Sequence, residues 1–185
     1  GSERTFTCQD TLTEVTLGGN WENLLGNPQH AAKNQMALKQ PLQLAWTKNV
    51  GANIYMTSPL VYDGKIYIAS VDENLKGEAH VYCLDGKTGE FFWKYPVRNS
   101  IKNTIAIGNG QVLAQDAQGY LYAIDAESGK LSWEKQLPVN VLPSLIEGLV
   151  VSNGIVYAGT GKGLCAISIK DGKEIWANTG WGQNM

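Results

Sequence analysis

The sequence predicts an all-β protein built from repeated units of four short strands, and three observations support this fold class. A phrase of alternating apolar residues, a tight turn and a tryptophan occurs three times, as "VYCLDGKTGEFFW", "LYAIDAESGKLSW" and "LCAISIKDGKEIW". A phrase with a central glycine precedes each copy, as "LVYDGKIYIAS", "AIGNGQVLAQD" and "VVSNGIVYAGT". The tryptophans are 40 and 43 residues apart, and the central glycines 46 and 44. A period in the forties at two independent anchors indicates a repeat architecture.

Each unit is predicted to begin with a β-hairpin, because the central dipeptide supplies the two positive φ angles of a type I′ turn. A third strand then turns through Asp-x-x-Ser/Thr-Gly into a fourth strand that carries the tryptophan. Four strands at this period predict a β-propeller blade. The hairpin dipeptides are Asp63-Gly64, Asn109-Gly110 and Asn153-Gly154.

The turn and the tryptophan are expected to hold neighbouring blades together. An aspartate at the start of the turn can accept hydrogen bonds from the backbone N–H groups that follow, and the glycine takes a left-handed conformation. The tryptophan can then lie across the next blade, which matters because one blade cannot bury its faces alone. In the third copy Ser168 replaces the acid, and we expect a less firmly held turn. The predicted docking residues are Trp46, Trp93, Trp133, Trp176, Asp85, Asp125, Gly89, Gly129 and Gly172.

Composition argues against several classes of function. Charged residues make up 17% of the 185 residues, with 15 basic against 17 acidic side chains. Such a balance gives no electrostatic footprint for nucleic acid or an anionic membrane. No apolar stretch reaches the 18 residues of a membrane span. The three cysteines are too widely spaced for a zinc site or a disulfide framework.

The repeat, with "GNGQVLAQDAQG" before "LYAIDAESGKLSW", resembles the β-propeller repeat of pyrroloquinoline quinone (PQQ) dehydrogenases, a family that includes the outer-membrane assembly lipoprotein of the BAM complex. The resemblance covers residues 20–180 and implies a propeller. It also implies a location in the bacterial cell envelope, either periplasmic or extracellular. The stretch beginning "NWENLLGNPQH" is similar to the segment that leads into such propellers, which makes the residues around Trp46 an outer strand lent to the final blade.

The predicted organisation follows from this register. Residues 1–19 are a tag remnant and a leading segment of unknown role, and residues 20–56 are the lead-in segment with its lone outer strand. Propellers close with four to eight blades, so we expect a piece of a larger protein whose open ends can self-associate. Trp21 lies outside the repeat, and its replacement is expected to cost less stability than that of Trp133. The three blades are assigned to residues 57–97, 102–138 and 143–179.

The first blade departs from the repeat between its second and third strands. This connection takes 15 residues from Tyr67 to Tyr82, against nine and eight in the other two units. Insertions in one repeat map to loops on one face, where binding often occurs. We therefore predict a candidate binding loop whose residues are Asp72, Glu73, Asn74, Lys76, Glu78 and His80.

No catalytic residues, cofactor or metal ligands are predicted. PQQ chemistry uses a quinone on a flat aromatic floor with a calcium ion and a carboxylate base, and the family's enzymes often add a pair of adjacent cysteines, which this sequence lacks. "GTGKG" lacks the spacing of a phosphate loop. The favoured interpretation is a non-catalytic module that binds protein or peptide at a rim or strand edge. Two alternatives remain, a fragment of a PQQ-dependent dehydrogenase and an accessory domain of a hydrolase such as a metallophosphoesterase.

Overall fold

The computed structural model describes residues 19–23, 43–55, 57–72, 76–137, 149–159 and 163–178. Within these ranges the chain forms β-strands and no helix, so the all-β prediction is confirmed. The strands form three four-stranded antiparallel sheets, each with its strands in sequence order. These sheets are the three predicted blades.

Each blade is formed by four consecutive strands, which run from the innermost to the outermost position. Blade 1 contains β1 (Leu60–Tyr62), β2 (Lys65–Ala69), β3 (His80–Asp85) and β4 (Phe91–Pro96). Blade 2 contains β5 (Ala106–Gly108), β6 (Gln111–Gln115), β7 (Tyr120–Asp125) and β8 (Leu131–Gln136). Blade 3 contains β9 (Val150–Ser152), β10 (Ile155–Gly159), β11 (Leu164–Ser168) and β12 (Glu174–Asn178).

The innermost hairpin of every blade has the predicted turn. Asp63, Asn109 and Asn153 have φ angles of 48°, 52° and 51°, and the glycine after each lies between 70° and 75°. Two successive residues with positive φ define the type I′ turn, whose twist matches that of the flanking strands. The local dipeptide therefore fixes the register of the first two strands of each blade.

The hydrophobic core lies between blades rather than within one. One cluster joins buried side chains of blades 1 and 2, among them Tyr67 and Cys83 from blade 1 and Val112 and Tyr122 from blade 2. A second cluster joins blades 2 and 3. Because alternate residues of a strand point to opposite faces, blade 2 contributes one face to each cluster.

Trp21 lies outside the repeat, but it packs against the hydrophobic core. Its backbone N–H donates to the Val61 carbonyl at 2.6 Å, and the Val61 N–H donates back to the Trp21 carbonyl at 3.0 Å. Its half-buried side chain packs against the cluster between blades 1 and 2. These contacts join residues 40 positions apart in the sequence, and the expectation that replacing Trp21 costs less stability than replacing Trp133 stays a prediction.

The loop between blades 1 and 2 is also tied to both. The Ile101 N–H donates to the Ser70 carbonyl at 3.2 Å, and the Ala117 N–H donates to the Ser100 carbonyl at 2.8 Å. We call this end of the blades, which carries the β2–β3 and β6–β7 connections and the linker 97–105, the loop rim. The opposite end, with the hairpins and the β3–β4, β7–β8 and β11–β12 turns, is the turn rim.

Candidate functional site

At the turn rim, Trp93 and Trp133 each cover a glycine of the blade that follows their own. A Cβ atom added to Gly129 would lie 2.6 Å from Cγ of Trp93, and one added to Gly172 would lie 2.9 Å from Cδ2 of Trp133. Both glycines have φ of 69°. Glycine is therefore required twice over at these positions, by the backbone conformation and by the close approach of the indole.

The same indoles are oriented by hydrogen bonds across the blade interface. Nε1 of Trp93 donates to the Ala126 carbonyl at 3.1 Å, and Nε1 of Trp133 donates to the Ile169 carbonyl at 2.7 Å. Each bond satisfies the one polar atom of a largely apolar ring. The indole therefore joins two blades through both packing and a directed bond.

Trp46 makes the equivalent contact on blade 1. Its Nε1 donates to the Gly86 carbonyl at 3.1 Å, and its ring lies 2.6 Å from where a Cβ of Gly89 would be. Residues 43–50 form no backbone ladder with the other described residues. Trp46 therefore contacts blade 1 as Trp93 contacts blade 2, and the assignment of the residues around Trp46 to an outer strand of the final blade stays a prediction.

Trp176 has no such acceptor within the described part of the chain. It lies in β12, whose residues are all exposed, and its own side chain is 43% exposed. Its ring lies beside that of Tyr157 of the same blade, with the ring centroids 6.3 Å apart. Self-association through this open face remains a prediction.

The aspartates of the repeat fold their own turns. Oδ1 of Asp85 accepts hydrogen bonds from the N–H groups of Lys87 and Thr88, both at 2.8 Å. Oδ1 of Asp125 accepts from the Ser128 N–H at 2.8 Å and from the Ser128 hydroxyl at 2.6 Å. These bonds lower the pKa of both carboxyls, since they favour the charged form.

The third turn keeps the backbone bonds of the other two without their aspartate. The Gly172 N–H donates to the Ser168 carbonyl at 2.9 Å, as the Gly129 N–H does to the Asp125 carbonyl. A hydrogen bond from the Ser168 side chain lowers the pKa of Asp171, which stands three residues later. Ser168 and Asp171 thus take part in this turn. The expectation that the third turn is less firmly held than the other two stays a prediction.

We expect Asp125→Asn to lower the free energy of unfolding by about 1 kcal/mol near neutral pH, because it weakens hydrogen bonds to a charged acceptor in an exposed turn. The pKa of Asp125 is lower in the folded state than the ordinary value of about 3.9. Its stabilisation is therefore present above about pH 4 and lost as the pH falls through the folded-state pKa. Urea melts of both proteins from pH 2 to 8 measure this, and a difference that does not change with pH would contradict it.

At the loop rim, the structure separates the residues of the predicted binding loop. Asp72 is buried, with 8% of its surface exposed, and its carboxylate accepts hydrogen bonds from the Lys76 and Gly77 N–H groups at 2.9 and 2.7 Å. Its own backbone N–H donates to the Ser100 hydroxyl oxygen at 2.8 Å. Asp72 therefore shapes the loop rather than presenting a charge on its surface.

The other described members of the loop are more accessible. Lys76 is exposed, and Glu78 and His80 are half-buried. Nδ1 of His80 lies 2.8 Å from the Glu78 carbonyl, and its ring stacks obliquely on Tyr82 with centroids 5.7 Å apart. Glu73 and Asn74 lie outside the described residues.

Sequence reasoning missed a buried carboxylate at the loop rim. Asp116 is fully buried, and it accepts hydrogen bonds from the Gln118 N–H at 2.9 Å, the Tyr120 N–H at 3.0 Å and the Tyr122 hydroxyl at 2.9 Å. Burial raises its pKa. The Asp-x-x-Gly pattern at this position is a turn signal that could have identified it.

Arg98 was missed for a different reason. Its N–H donates to the Tyr122 hydroxyl at 3.2 Å, its guanidinium contacts Glu134 at 2.6 Å, and its Cζ lies 4.6 Å from the centre of the Tyr120 ring. These partners belong to the next blade, so no local pattern predicts the set. Arg98 fastens the start of the linker to blade 2 at the edge of the loop rim.

The described residues do not fit a quinone and its calcium ion. Cys83 and Cys165 are free and buried in different blades, and burial raises the pKa of the Cys83 thiol to about 11. Trp93 and Trp133 are occupied at blade interfaces. No group of three or more His, Cys, Asp or Glu side chains that could hold a metal occurs in the described ranges. No catalytic step is therefore derived from this arrangement.

Blades joined by tryptophan and glycine at a fixed register define a β-propeller of the PQQ-like repeat class. The family model described as outer membrane protein assembly factor BamB matches residues 36–183. The chain belongs to this family.

The relatives include both outer membrane protein assembly factors and dehydrogenases. BamB of Nitrosomonas eutropha is 32% identical over 120 residues, which cover 63% of this chain and 26% of that protein. Quinohemoprotein alcohol dehydrogenase ADH-IIG of Pseudomonas putida is 25% identical over 156 residues, which cover 73% of this chain and 21% of that enzyme. The chain thus spans about a quarter of the length of these relatives.

Solved structures agree on the fold. The quinohemoprotein alcohol dehydrogenase of Comamonas testosteroni matches with a TM-score of 0.69 and 21% identity, over 86% of this chain and 27% of that one. BamB of Moraxella catarrhalis matches with a TM-score of 0.59 and 19% identity, over 72% of this chain and 39% of that one. Among the described residues there is no helix long and apolar enough to cross a membrane.

Proposed function

We propose that this chain is part of a non-catalytic β-propeller that binds protein or peptide partners, or serves as their scaffold, in the bacterial cell envelope. The observation that carries the proposal is that the tryptophans and the turn aspartates of the repeat are engaged in structural contacts. Trp93 and Trp133 join blades, Trp46 packs on blade 1, and Asp85 and Asp125 hold turns. The groups suited to stacking a cofactor or acting as a base are engaged in structure.

The surfaces left for a partner are polar loops and strand edges. Lys76 is exposed in the long loop of blade 1, and Glu78 of the same loop is half-buried. The outer strand of each blade also has one edge without a neighbouring strand in its sheet, and such an edge can add a strand from an extended peptide. Both kinds of surface favour protein over a small substrate as the ligand.

The family supports a role in the outer membrane pathway. Its description names outer membrane protein assembly, and BamB of Nitrosomonas eutropha is 32% identical to this chain over 120 residues. A partner from that pathway is an unfolded outer-membrane protein or another assembly component. This location and this partner class are carried over from the family to the chain as part of the proposal.

A fragment of a PQQ-dependent dehydrogenase is the second candidate. It is favoured by the match to quinohemoprotein alcohol dehydrogenase ADH-IIG, which covers 73% of this chain. The two candidates predict different ligands for the same chain. They can therefore be separated by binding measurements.

We expect the chain to bind a fluorescently labelled, urea-unfolded outer-membrane β-barrel protein, diluted into buffer, with micromolar Kd by anisotropy. Lys76→Glu at the loop rim is expected to weaken this binding at least fivefold, because it reverses the exposed charge of the long loop. Lys87→Glu, in an exposed turn of the same blade at the turn rim, is the matched control and is expected to stay within twofold.

Titration with PQQ and calcium, followed by absorbance and calorimetry, is the second arm of this experiment. We expect no stoichiometric binding. Stoichiometric binding at micromolar affinity would support the dehydrogenase candidate. Absence of binding to the unfolded protein, or equal loss in both lysine variants, would argue against a loop-rim site.

A further inference from the structure

The innermost strands of the three blades present a row of equivalent amides to one short segment. The Val61 N–H donates to the Trp21 carbonyl at 3.0 Å, and the Ile107 N–H donates to the Glu22 carbonyl at 2.8 Å. The Val151 N–H donates to Oδ1 of Asn23 at 3.0 Å. Three consecutive residues thus supply one acceptor to each of three consecutive blades.

The three donors occupy the same register position. Val61, Ile107 and Val151 are the middle residues of β1, β5 and β9, and each is the second partner in its hairpin ladder. An innermost strand has a neighbour in its own sheet on one side only, so its other edge carries amides that need acceptors. The repeat therefore generates a series of donors with one amide per blade, which we call the inner track.

The segment on the inner track is anchored by side chains as well as by backbone. Asn23 is 2% exposed, and Trp21 packs on the cluster between blades 1 and 2. At the other end, Oδ1 of Asn20 accepts from the Asp63 N–H at 3.2 Å. An aromatic residue followed two positions later by an amide side chain is the pattern that the track engages.

We propose that the inner track is a peptide-binding site, and that residues 20–23 are an internal ligand that a peptide of the same pattern can replace. The ligand class is an extended peptide with an aromatic residue, any residue and then Asn or Asp, since either side chain offers the required acceptor. This surface is distinct from the loop rim, and binding at either does not require the other.

Because the internal ligand is covalently connected, we expect the intact chain to resist such a peptide. A tethered segment acts at an effective concentration on the order of 1 mM. A free peptide with an intrinsic Kd of about 10 μM is then weakened about 100-fold by competition. Weakening the internal ligand removes this competition without changing the amides of the track.

The test uses the full chain carrying Trp21→Ala with Asn23→Ala, and a labelled peptide of the native sequence "GGNWENLLG". We expect the double variant to bind this peptide at least tenfold more tightly than the parent chain. The control peptide "GGNAEALLG" is expected to bind at least tenfold more weakly than the native peptide. Lys94→Ala, on the exposed outer strand of blade 1, is the matched protein control and is expected to behave as the parent.

A second variant keeps the proposal testable if the double variant does not fold. Asn23→Ala alone removes one acceptor, and in hydrogen exchange we expect faster exchange at the Val151 amide than in the parent, reversed by the native peptide. The proposal is overturned if the folded variants do not bind the native peptide, or if they bind both peptides equally. It is also overturned if exchange at Val151 is unchanged by Asn23→Ala.

Discussion

Trp133→Ala is expected to lower the free energy of unfolding by about 3–5 kcal/mol, which is the cost of truncating a large aromatic side chain in a packed interface. The indole of Trp133 packs on the cluster between blades 2 and 3, covers Gly172 and donates to the Ile169 carbonyl. Its removal leaves a cavity and an unpaired carbonyl at the same place. Guanidinium melts give the change in free energy, and the slope of the transition reports whether blade 3 separates from the rest.

Trp176→Ala provides the matched control, because Trp176 stands at the same position of the repeat but is 43% exposed. We expect a loss of at most about 1.5 kcal/mol, the upper range for one aromatic pair, which is its stacking on Tyr157. Trp133→Phe, which keeps an aromatic ring and loses the hydrogen bond, should fall between the two. Equal losses for the two alanine variants would contradict the blade register described above.

Gly129→Ala is expected to cost about 2–5 kcal/mol, the sum of two effects. A left-handed backbone costs a residue with a Cβ about 1–2 kcal/mol, and φ at Gly129 is 69°. The added methyl would also lie 2.6 Å from Cγ of Trp93, and overpacking of this kind costs about 1–3 kcal/mol. Thermal and denaturant melts measure the total.

Gly110→Ala separates the two effects. Gly110 has φ of 70°, and nothing lies within 4 Å of the position that its Cβ would take. We therefore expect a loss of about 1–2 kcal/mol, from the backbone alone. If Gly129→Ala costs no more than Gly110→Ala, the indole of Trp93 moves aside freely, and the tryptophan contact does not position the blades.

Most of the fold could be predicted because its signals are local. The Asn109-Gly110 dipeptide specifies its hairpin whatever surrounds it, since only a few residues accept two positive φ angles in succession. The fixed period then shows how many such units the chain contains, and alternating apolar residues assign each strand its two faces. The Asp125 turn is equally local, because its acceptor and its Ser128 donors are three residues apart.

The long loop of blade 1 could be located from the sequence, but the roles of its side chains could not be interpreted, and binding there stays a prediction. A surplus of residues between two repeat strands marks an insertion, but it does not show which charged side chains of that insertion turn inward and which face solvent. Asp72 turns inward to the loop backbone, whereas Lys76 faces solvent. That choice depends on Ser100, 28 residues away, which holds the Asp72 amide from the linker to the next blade.

The sequence by itself determined the repeat, the strand order within each blade and the positions of the repeated glycines and tryptophans, because these signals recur at fixed places in each unit. Only the tertiary structure decided that Trp93 covers the glycine of the following blade and that residues 21–23 contact the innermost strands of all three. These contacts join residues 36 to 128 positions apart. Such pairs form when whole blades pack face to face, and the energy of that packing is shared over many apolar residues rather than encoded at either partner.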